Sequence, residues 1–205
     1  DPLPIWYSPF ESQDGGEDEY PFYALTQRPM AMYNSWGSQN AWLRQIHTSN
    51  RLYMNRTRAH LEGLNDDDWV WVTSHHSRIK VQISLMEGVQ SETVWTWNAI
   101  GKRSGAWNLS PDAPESRKGF LLNHVISELL PPKENGYRYS NSDPVTGQAA
   151  WYDLRVKIEK AEPENEFTSP QFETQPSRGT SSRADRILRY GAHFRPVRTR
   201  GGNIT

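Results

Sequence analysis

The residues best suited to bind a ligand lie in one stretch near the start of the chain, YALTQRPMAMYNSWGSQNAWLRQI, which spans Tyr23 to Ile46. It begins like a buried strand and then becomes polar around two tryptophans. Its polar members are Thr26, Gln27, Arg28, Asn34, Ser35, Ser38, Gln39 and Asn40. No acid occurs in residues 21–46. Amides and hydroxyls donate and accept hydrogen bonds, and arginine binds phosphate through paired charged bonds. The pattern favours a site for a large anionic ligand rich in heteroatoms.

The composition excludes several classes of function. The 205 residues carry a formal net charge of −1, so no overall field favours nucleic acid, and no nucleic-acid partner is predicted. The chain contains no cysteine, which excludes disulfides, thiolate metal sites and cysteine nucleophiles within it. No apolar run approaches ~20 residues, so no membrane insertion is predicted. The first residues read as a cut inside a longer chain. A cytoplasmic location is predicted, with the periplasm as the alternative.

Short strands must position these residues. Apolar and polar residues alternate from Ile79 to Leu85 and from Leu154 to Ile158, and β-branched or aromatic residues fill 69–73 and 93–97. A strand over 21–27, a helical turn over 41–46 and a helix over 56–64 ending at Gly63 complete the first half. Leu122, Ile126 and Leu129 predict a helix within 120–132, after a long loop over 99–119. Many short strands joined by long loops fit a small β-barrel or sandwich.

Three domain segments are predicted. Residues 1–20 form an extended lead-in, residues 21–161 form the β domain, and residues 162–205 form a basic, flexible tail.

Two further clusters are interpreted as turns. The His75–His76 pair has no neighbouring acid that would complete a metal site, so both are expected to be exposed turn residues. Asp66, Asp67 and Asp68 precede a strand and are expected to start it as a β-turn.

Five motifs in order resemble a known family. LTQRPMAMYNSWGSQNAWL resembles the opening of the C-terminal domain of molybdopterin oxidoreductases, the dimethyl sulfoxide reductase superfamily, with Thr26-Gln27-Arg28 as its T-x-R. The segment 56–73, the hairpin after it and the segment 123–161 resemble the later motifs of that domain. SQNAWL is closest to the sulfite dehydrogenase and thiosulfate, polysulfide and tetrathionate reductase branch. Two features depart from the family pattern: Asn34 stands where many relatives have histidine, and the turn 74–77 lacks glycine.

The resemblance implies a fold and a cofactor. The fold would be mainly β with a few short helices, a six-stranded double-psi β-barrel of the aspartate decarboxylase type. It would cap molybdopterin guanine dinucleotide, present as the bis form with molybdenum or tungsten in the full-length enzyme. That enzyme would transfer electrons at a sulfur compound such as sulfite. Its partners would be an iron–sulfur electron-transfer protein and the N-terminal remainder of the large subunit. This chain alone would hold no metal ligand and no catalytic residue.

The resemblance also implies roles for twelve residues. One end of the dinucleotide would contact Thr26, Gln27 and Arg28. The pterin or phosphate side would be lined by Asn34, Ser35, Ser38, Gln39 and Asn40, with Trp36 as a wall. Edge contacts would come from Asn123, His124 and Gln148.

Simpler interpretations remain open for each of these residues. Arg28 could pair with a surface acid, and Asn34 and Asn40 could bond locally within turns. Asn123 and His124 could be polar positions of an amphipathic helix, and Gln148 could be a plain loop residue.

A different class of function is an aromatic-rich module that binds carbohydrate or peptide without catalysis. The nine tryptophans could supply stacking platforms. Exposure of Trp36, Trp97 and Trp107 on one face would favour such a module. Most tryptophans fall inside predicted strands or beside apolar residues, which favours a place in the core.

Overall fold

The computed structural model describes most of the β domain and parts of its surroundings. The described residues are 16–33, 37, 40–47, 49–98, 100, 119–127, 129, 138–142, 146–149, 151–162, 172–174 and 188–189. Within these residues lie nine strands: β1 Phe22–Gln27, β2 Leu52–Asn55, β3 Trp69–Thr73, β4 Ser77–Met86, β5 Thr93–Trp97, β6 Arg138–Tyr139, β7 Arg155–Lys160, β8 Phe172–Thr174 and β9 Leu188–Arg189. Three short helices (α1 Gly16–Glu19, α2 Ala41–Ile46, α3 Arg56–Leu61) and two 3-10 turns (Leu122–Val125, Trp151–Asp153) accompany them.

Six of the strands close a barrel. Their order is β2-β5-β1-β7-β3-β4, and β4 pairs back with β2. β1 is parallel to β5 and β2 is parallel to β4, whereas the other four neighbouring pairs are antiparallel. The predicted mainly β chain with a six-stranded barrel is therefore confirmed. No sequence signal marked β2, because it has only four residues and its parallel partner, Ile83–Met86, lies far along the chain.

The barrel interior is filled by the apolar residues of each alternating strand. Val70 and Val72 of β3 and Val94 of β5 are fully buried, whereas Trp69, Trp71, Trp95 and Trp97 between and beside them are only half-buried. The expectation that the strand tryptophans form the core is wrong. A barrel of so few strands has a narrow interior, so branched aliphatic side chains fill it and the indoles face outward. On that outer face Arg78 and Lys80 lie over the ring of Trp71.

Strand direction sorts the connections between strands into two ends. β1, β3 and β5 run in one direction, and β2, β4 and β7 run in the other. We call the side toward which β1, β3 and β5 run the upper end, and the connections 28–51, 74–76 and 98–154 follow these three strands. The connections 56–68 and 87–92 leave from the opposite, lower end. All twelve predicted ligand-binding residues belong in sequence to the last two residues of β1 or to the upper connections.

The helix predicted within 120–132 is wrong. Residues Leu122–Val125 form a single 3-10 turn, and Ile126 is already extended. The hydroxyl of Ser74 donates to the carbonyl of Val125 at 2.6 Å, and the hydroxyl of Ser77 donates to the carbonyl of His124. These carbonyls are the acceptors that a continuing α-helix would need for its next turns. Tertiary bonds therefore replace the helical ones.

The predicted outer segments are described only in part. From the lead-in the structure gives α1, and from the loop 99–119 it gives residues 100 and 119. Within the predicted tail, β8 pairs with the start of β4, and β9 pairs in parallel with β6. Apart from Tyr20 and Glu162, the remaining residues of these three segments lie outside the described part of the chain.

Candidate functional site

The end of β1 places the first three candidate residues beside the end of β5. Thr26 and Gln27 are paired in register with Thr96 and Trp97, and the N–H of Asn98 donates to the carbonyl of Gln27 at 2.8 Å. Thr26 is half-buried, whereas Gln27 and Arg28 are exposed. The backbone that carries these side chains is thus fixed by the sheet, while the Gln27 amide and the Arg28 guanidinium stay accessible at the upper end.

Asn50 connects this corner to the other upper connections. Its side chain is 5% exposed, and its Nδ2 donates to the carbonyls of Trp97 at 3.0 Å and Phe120 at 3.1 Å. Its Oδ1 accepts from the Thr96 hydroxyl at 2.9 Å. Phe120 lies just before the turn Leu122–Val125, so Asn50 holds the residues that enter this turn against the end of β5. Nothing in the sequence pattern marks Asn50, because its partners are 46 to 70 residues away.

The turn Leu122–Val125 presents the next two candidates. Leu122 and Val125 are buried, whereas Asn123 and His124 are exposed. The buried hydroxyls of Ser74 and Ser77 hold the turn through the carbonyls of Val125 and His124. Sequence reasoning missed both serines as positioning residues. A weak signal was available, because a serine can bond to nearby backbone across a hairpin turn, as Ser74 also does with the N–H groups of His76 and Ser77.

Asn40 has a local role in the structure. It is the N-cap of α2, and its Oδ1 accepts from the N–H groups of Trp42 at 2.9 Å and Leu43 at 3.4 Å. This is the local bonding that was the alternative interpretation for Asn40. The residue is exposed, so its Nδ2 remains on the surface of the upper connection.

The remaining candidates are less defined. Gln148 is exposed and follows Gly147, which has a φ of +75° that suits glycine in a turn. The candidates Asn34, Ser35, Trp36, Ser38 and Gln39 lie outside the described residues. Of the twelve candidates, the structure describes seven: pairing with β5 places Thr26 and Gln27 at the upper end, bonds from Ser74 and Ser77 place the turn that carries Asn123 and His124 there, and Arg28, Asn40 and Gln148 belong to the upper connections in sequence.

The connection 28–51, which carries most of the candidates, contains no acid. The lower connections contain six acids: Glu62, Asp66, Asp67, Asp68, Glu87 and Glu92. An anionic ligand is repelled by carboxylates, so the acid-free connection after β1 is favourable for it. No group of residues that could hold a metal ion occurs in the described part of the chain.

Most of the lower acids have structural partners. Asp66 accepts from the N–H of Leu85 at 2.7 Å, and Asp67 pairs with Arg51 at 2.8 Å. Asp68 accepts from the N–H of Asn65, and this bond is the main reason that the pKa of its carboxyl lies below the ordinary value. The Lys160 ammonium, 2.9 Å away, acts in the same direction, while partial burial opposes it. The interpretation of these aspartates as the turn that starts β3 is confirmed.

The histidine pair and the aromatic residues do not form sites of their own. His75 and His76 are half-buried in the turn between β3 and β4, which corrects the expectation that they are exposed. Trp97 is half-buried in a row with Trp95, Tyr53 and His47, with ring centroids 4.7, 6.4 and 5.4 Å from its own. Trp97 is therefore not the exposed stacking platform that an aromatic binding module requires. Trp36 and Trp107 lie outside the described residues.

No helix in the described part of the chain is long and apolar enough to cross a membrane.

Comparison with known proteins identifies the family. The family model of the molydopterin dinucleotide binding domain matches residues 22–142. A sulfite dehydrogenase subunit of Allochromatium vinosum is 58% identical over 177 residues, which cover 86% of this chain and 18% of that protein. Dopamine dehydroxylase of Eggerthella lenta is 25% identical over 177 residues, which cover 82% of this chain and 15% of that protein.

A solved structure supports the fold. Acetylene hydratase from Pelobacter acetylenicus matches with a TM-score of 0.57 and 19% identity, over 78% of this chain and 22% of that chain. The chain spans about a fifth of the length of the relatives it matches. With the family model matching more than half of its residues, the chain belongs to the molydopterin dinucleotide-binding domain family of the molybdopterin oxidoreductases.

Proposed function

We propose that the upper end of the barrel binds the dinucleotide of molybdopterin guanine dinucleotide, the cofactor that the family and the sulfite dehydrogenase homologue imply. One observation supports this end above the other: sheet pairing and the bonds from Ser74 and Ser77 place Thr26, Gln27, Asn123 and His124 there, and Arg28, Asn40 and Gln148 belong to its connections. The connection 28–51, to which Arg28 and Asn40 belong, contains no acid.

The chemistry of these side chains fits the ligand. The exposed Arg28 guanidinium can form forked, charge-assisted bonds with pyrophosphate oxygens. The amides of Gln27, Asn123 and Gln148 can donate to and accept from the edges of guanine and pterin. When bound, the cofactor supplies the metal-centred redox chemistry, and this domain contributes binding and orientation. The chain by itself is not expected to be catalytic.

The holoenzyme is proposed to oxidise or reduce a sulfur compound, with sulfite as the first candidate. The support is the 58% identity to the sulfite dehydrogenase protein, which far exceeds the 25% identity to dopamine dehydroxylase. Homologues carry this domain within larger molybdoenzyme subunits, so the rest of the large subunit is its first partner. An iron–sulfur protein that transfers electrons is proposed as the second partner.

Titration calorimetry tests the binding site. Guanosine diphosphate, adenosine diphosphate and an oligosaccharide panel would be titrated into the chain, and into Arg28→Ala and Arg56→Ala variants. Arg56 is a matched control because it lies at the lower end, paired with Glu87 at 2.8 Å, and its removal changes the net charge equally. The proposal predicts guanine nucleotide binding that weakens in Arg28→Ala alone. Equal weakening in both variants would indicate only a general charge effect, and saccharide binding indifferent to Arg28 would favour the aromatic module.

A further inference from the structure

Large apolar side chains are exposed mainly at the upper end. Among the described residues, Met30, Tyr33, Trp42 and Ile46 lie exposed in the connection between β1 and β2, and Tyr152 lies exposed just before β7. Among the described residues of the lower end, Leu61 is the one large apolar side chain that is exposed. Such residues scattered singly need no explanation, but exposure concentrated on one end indicates a surface that another body covers.

Helix α2 shows how part of this surface is built. Its Leu43 is half-buried and lies beside Gly37 of the same connection, where an added Cβ would be 3.1 Å from the Leu43 Cδ1. His47, which caps the C-terminal end of the helix, contacts the ring of Trp97 on the barrel. Trp42 and Ile46 are four residues apart and so share a different face of the helix. They are 77% and 64% exposed.

The exposed face is costly for a helix of this size. α2 has six residues and no fully buried one, and helices this short are not stable in water by themselves. The contact of His47 with Trp97 joins its C-terminal end to the barrel, and the Asn40 cap supports its start. The indole of Trp42 and the side chain of Ile46 are left exposed. Burying the two side chains would add favourable hydrophobic energy that the domain alone does not obtain.

We infer that Trp42 and Ile46, together with Met30, Tyr33 and Tyr152, form the face on which this domain docks against the rest of the large subunit. The inference rests on the proposed function, because that function makes this chain one domain of a larger enzyme. The chain spans 22% of the acetylene hydratase chain and 18% of the sulfite dehydrogenase protein, so most of each relative lies outside the domain. The apolar residues lie at the same end as the candidate cofactor contacts, where the rest of the subunit has to approach a shared cofactor. Aromatic residues and methionine are also the types enriched at the centre of interfaces.

Hydroxyl-radical footprinting read by mass spectrometry tests the docking face without any substitution. The modification rates of Met30, Tyr33 and Trp42 would be compared between the 205-residue chain and the holoenzyme that carries it. Trp42 is expected to be modified about fivefold more slowly or less in the holoenzyme, because interface centres are packed like protein interiors. Leu61, 79% exposed in the chain, is the internal control and should keep its rate. Equal rates for Trp42 in the two samples would overturn the inference.

Repeating the comparison with the full enzyme prepared without its cofactor distinguishes protection of Trp42 by docking from protection by stacking on the cofactor. Protection of Trp42 that persists without the cofactor supports the docking face. If Trp42 loses its protection in the cofactor-free enzyme while residues of the other domains keep theirs, Trp42 contacts the cofactor, and the inference is overturned. Nucleotide titration of Arg28→Ala tests the proposed function itself. The failure of the docking inference can therefore be distinguished from the failure of the proposed function.

Matched variants give a second measurement. Trp42→Gln and Leu61→Gln each replace an exposed apolar side chain on a short helix. Both are expected to leave the thermal midpoint of the 205-residue chain unchanged. In the holoenzyme, Trp42→Gln is expected to lower the midpoint and Leu61→Gln is not. Equal midpoints for the two variants in the holoenzyme would contradict the docking face.

Discussion

The two ends of the barrel are built from connections that use their polar groups differently. At the lower end, Asn55 caps α3 and also donates to the carbonyl of Val89 at 2.7 Å, so one side chain joins both lower connections. Asp66 and Asp68 bond to backbone N–H groups in the same region. At the upper end, buried Asn50, Ser74 and Ser77 fix the backbone, while Arg28, Asn123 and His124 extend from it into solvent.

Under the proposed function, this difference separates the residues that stabilise the domain from those that bind the ligand. The lower end directs its charges and amides toward its own chain, and the fold benefits from each bond. The upper end separates the two tasks: buried polar residues hold the connections, and exposed ones next to them are available to a ligand. Placing binding residues on loops that a rigid scaffold positions is a common solution.

The largest effect is expected for Asn50→Ala. The substitution removes the side chain that donates to the carbonyls of Trp97 and Phe120, while the Thr96 hydroxyl keeps the carbonyl of Arg51, 3.0 Å away, as an acceptor. Buried groups that lose their bonds are costly, so the free energy of unfolding should fall by about 2–4 kcal/mol. Chemical denaturation measures it. Guanine nucleotide affinity should fall as well, and a variant with unchanged stability would remove Asn50 from its proposed positioning role.

The second effect concerns binding alone. Arg28→Ala should weaken guanosine diphosphate binding roughly 10- to 100-fold, as expected for the loss of charged hydrogen bonds. Because the side chain is exposed, the thermal midpoint should stay within error of the original. Arg28→Lys should recover part of the affinity but not all of it, since an ammonium lacks the planar fork. Full recovery by lysine would show that charge alone matters at this position.

The third effect is its counterpart at the lower end. Asn55→Ala removes the cap of α3 and the bond to Val89, so the free energy of unfolding should fall by about 1–2 kcal/mol. Nucleotide affinity should not change when it is measured below the unfolding transition. A clear loss of affinity in this variant would mean that the two ends are not functionally separate.

The smallest effect is a pH dependence at the lower end. The pKa of Asp68 is lowered in the folded chain, so its contribution to stability is present above the ordinary carboxyl pKa of about 4 and is lost as the pH falls through the folded pKa. Asp68→Asn should therefore destabilise the chain by up to about 1 kcal/mol near neutral pH, discounted for solvent screening of the Lys160 pair. The difference from the original chain should shrink in acid, and denaturation curves across pH would measure it. A difference that grows in acid would contradict the assigned cause.

The strands could be predicted from sequence where the alternation was long enough. β4 alternates from Ile79 to Leu85, and β1, β3 and β5 are rich in strand formers, so the sequence predicted each of them in its place. β2 is four residues long, and what makes it a strand is its pairing with β4 and β5. The helical spacing of Leu122, Ile126 and Leu129 was misleading, because bonds from Ser74 and Ser77 decide the local conformation there.

The candidate site could be predicted only in its chemistry. An acid-free run of amides and hydroxyls predicts that the connection after β1 binds an anionic ligand. The residues that hold the site together, Asn50, Ser74 and Ser77, gave no comparable signal because their partners come from distant parts of the chain. Asn40 shows the opposite problem for prediction from sequence: it lies in the segment predicted to bind the ligand, but its side chain caps a helix.

Hydrogen–deuterium exchange with and without saturating guanosine diphosphate tests the central claim most directly, because it reports on both ends of the barrel in one experiment. Slower exchange is predicted at the end of β1, in α2 and in the turn Leu122–Val125, with no change across 56–68 and 87–92. Protection confined to the lower connections, or spread equally over both ends, would contradict the assignment of the dinucleotide to the upper end.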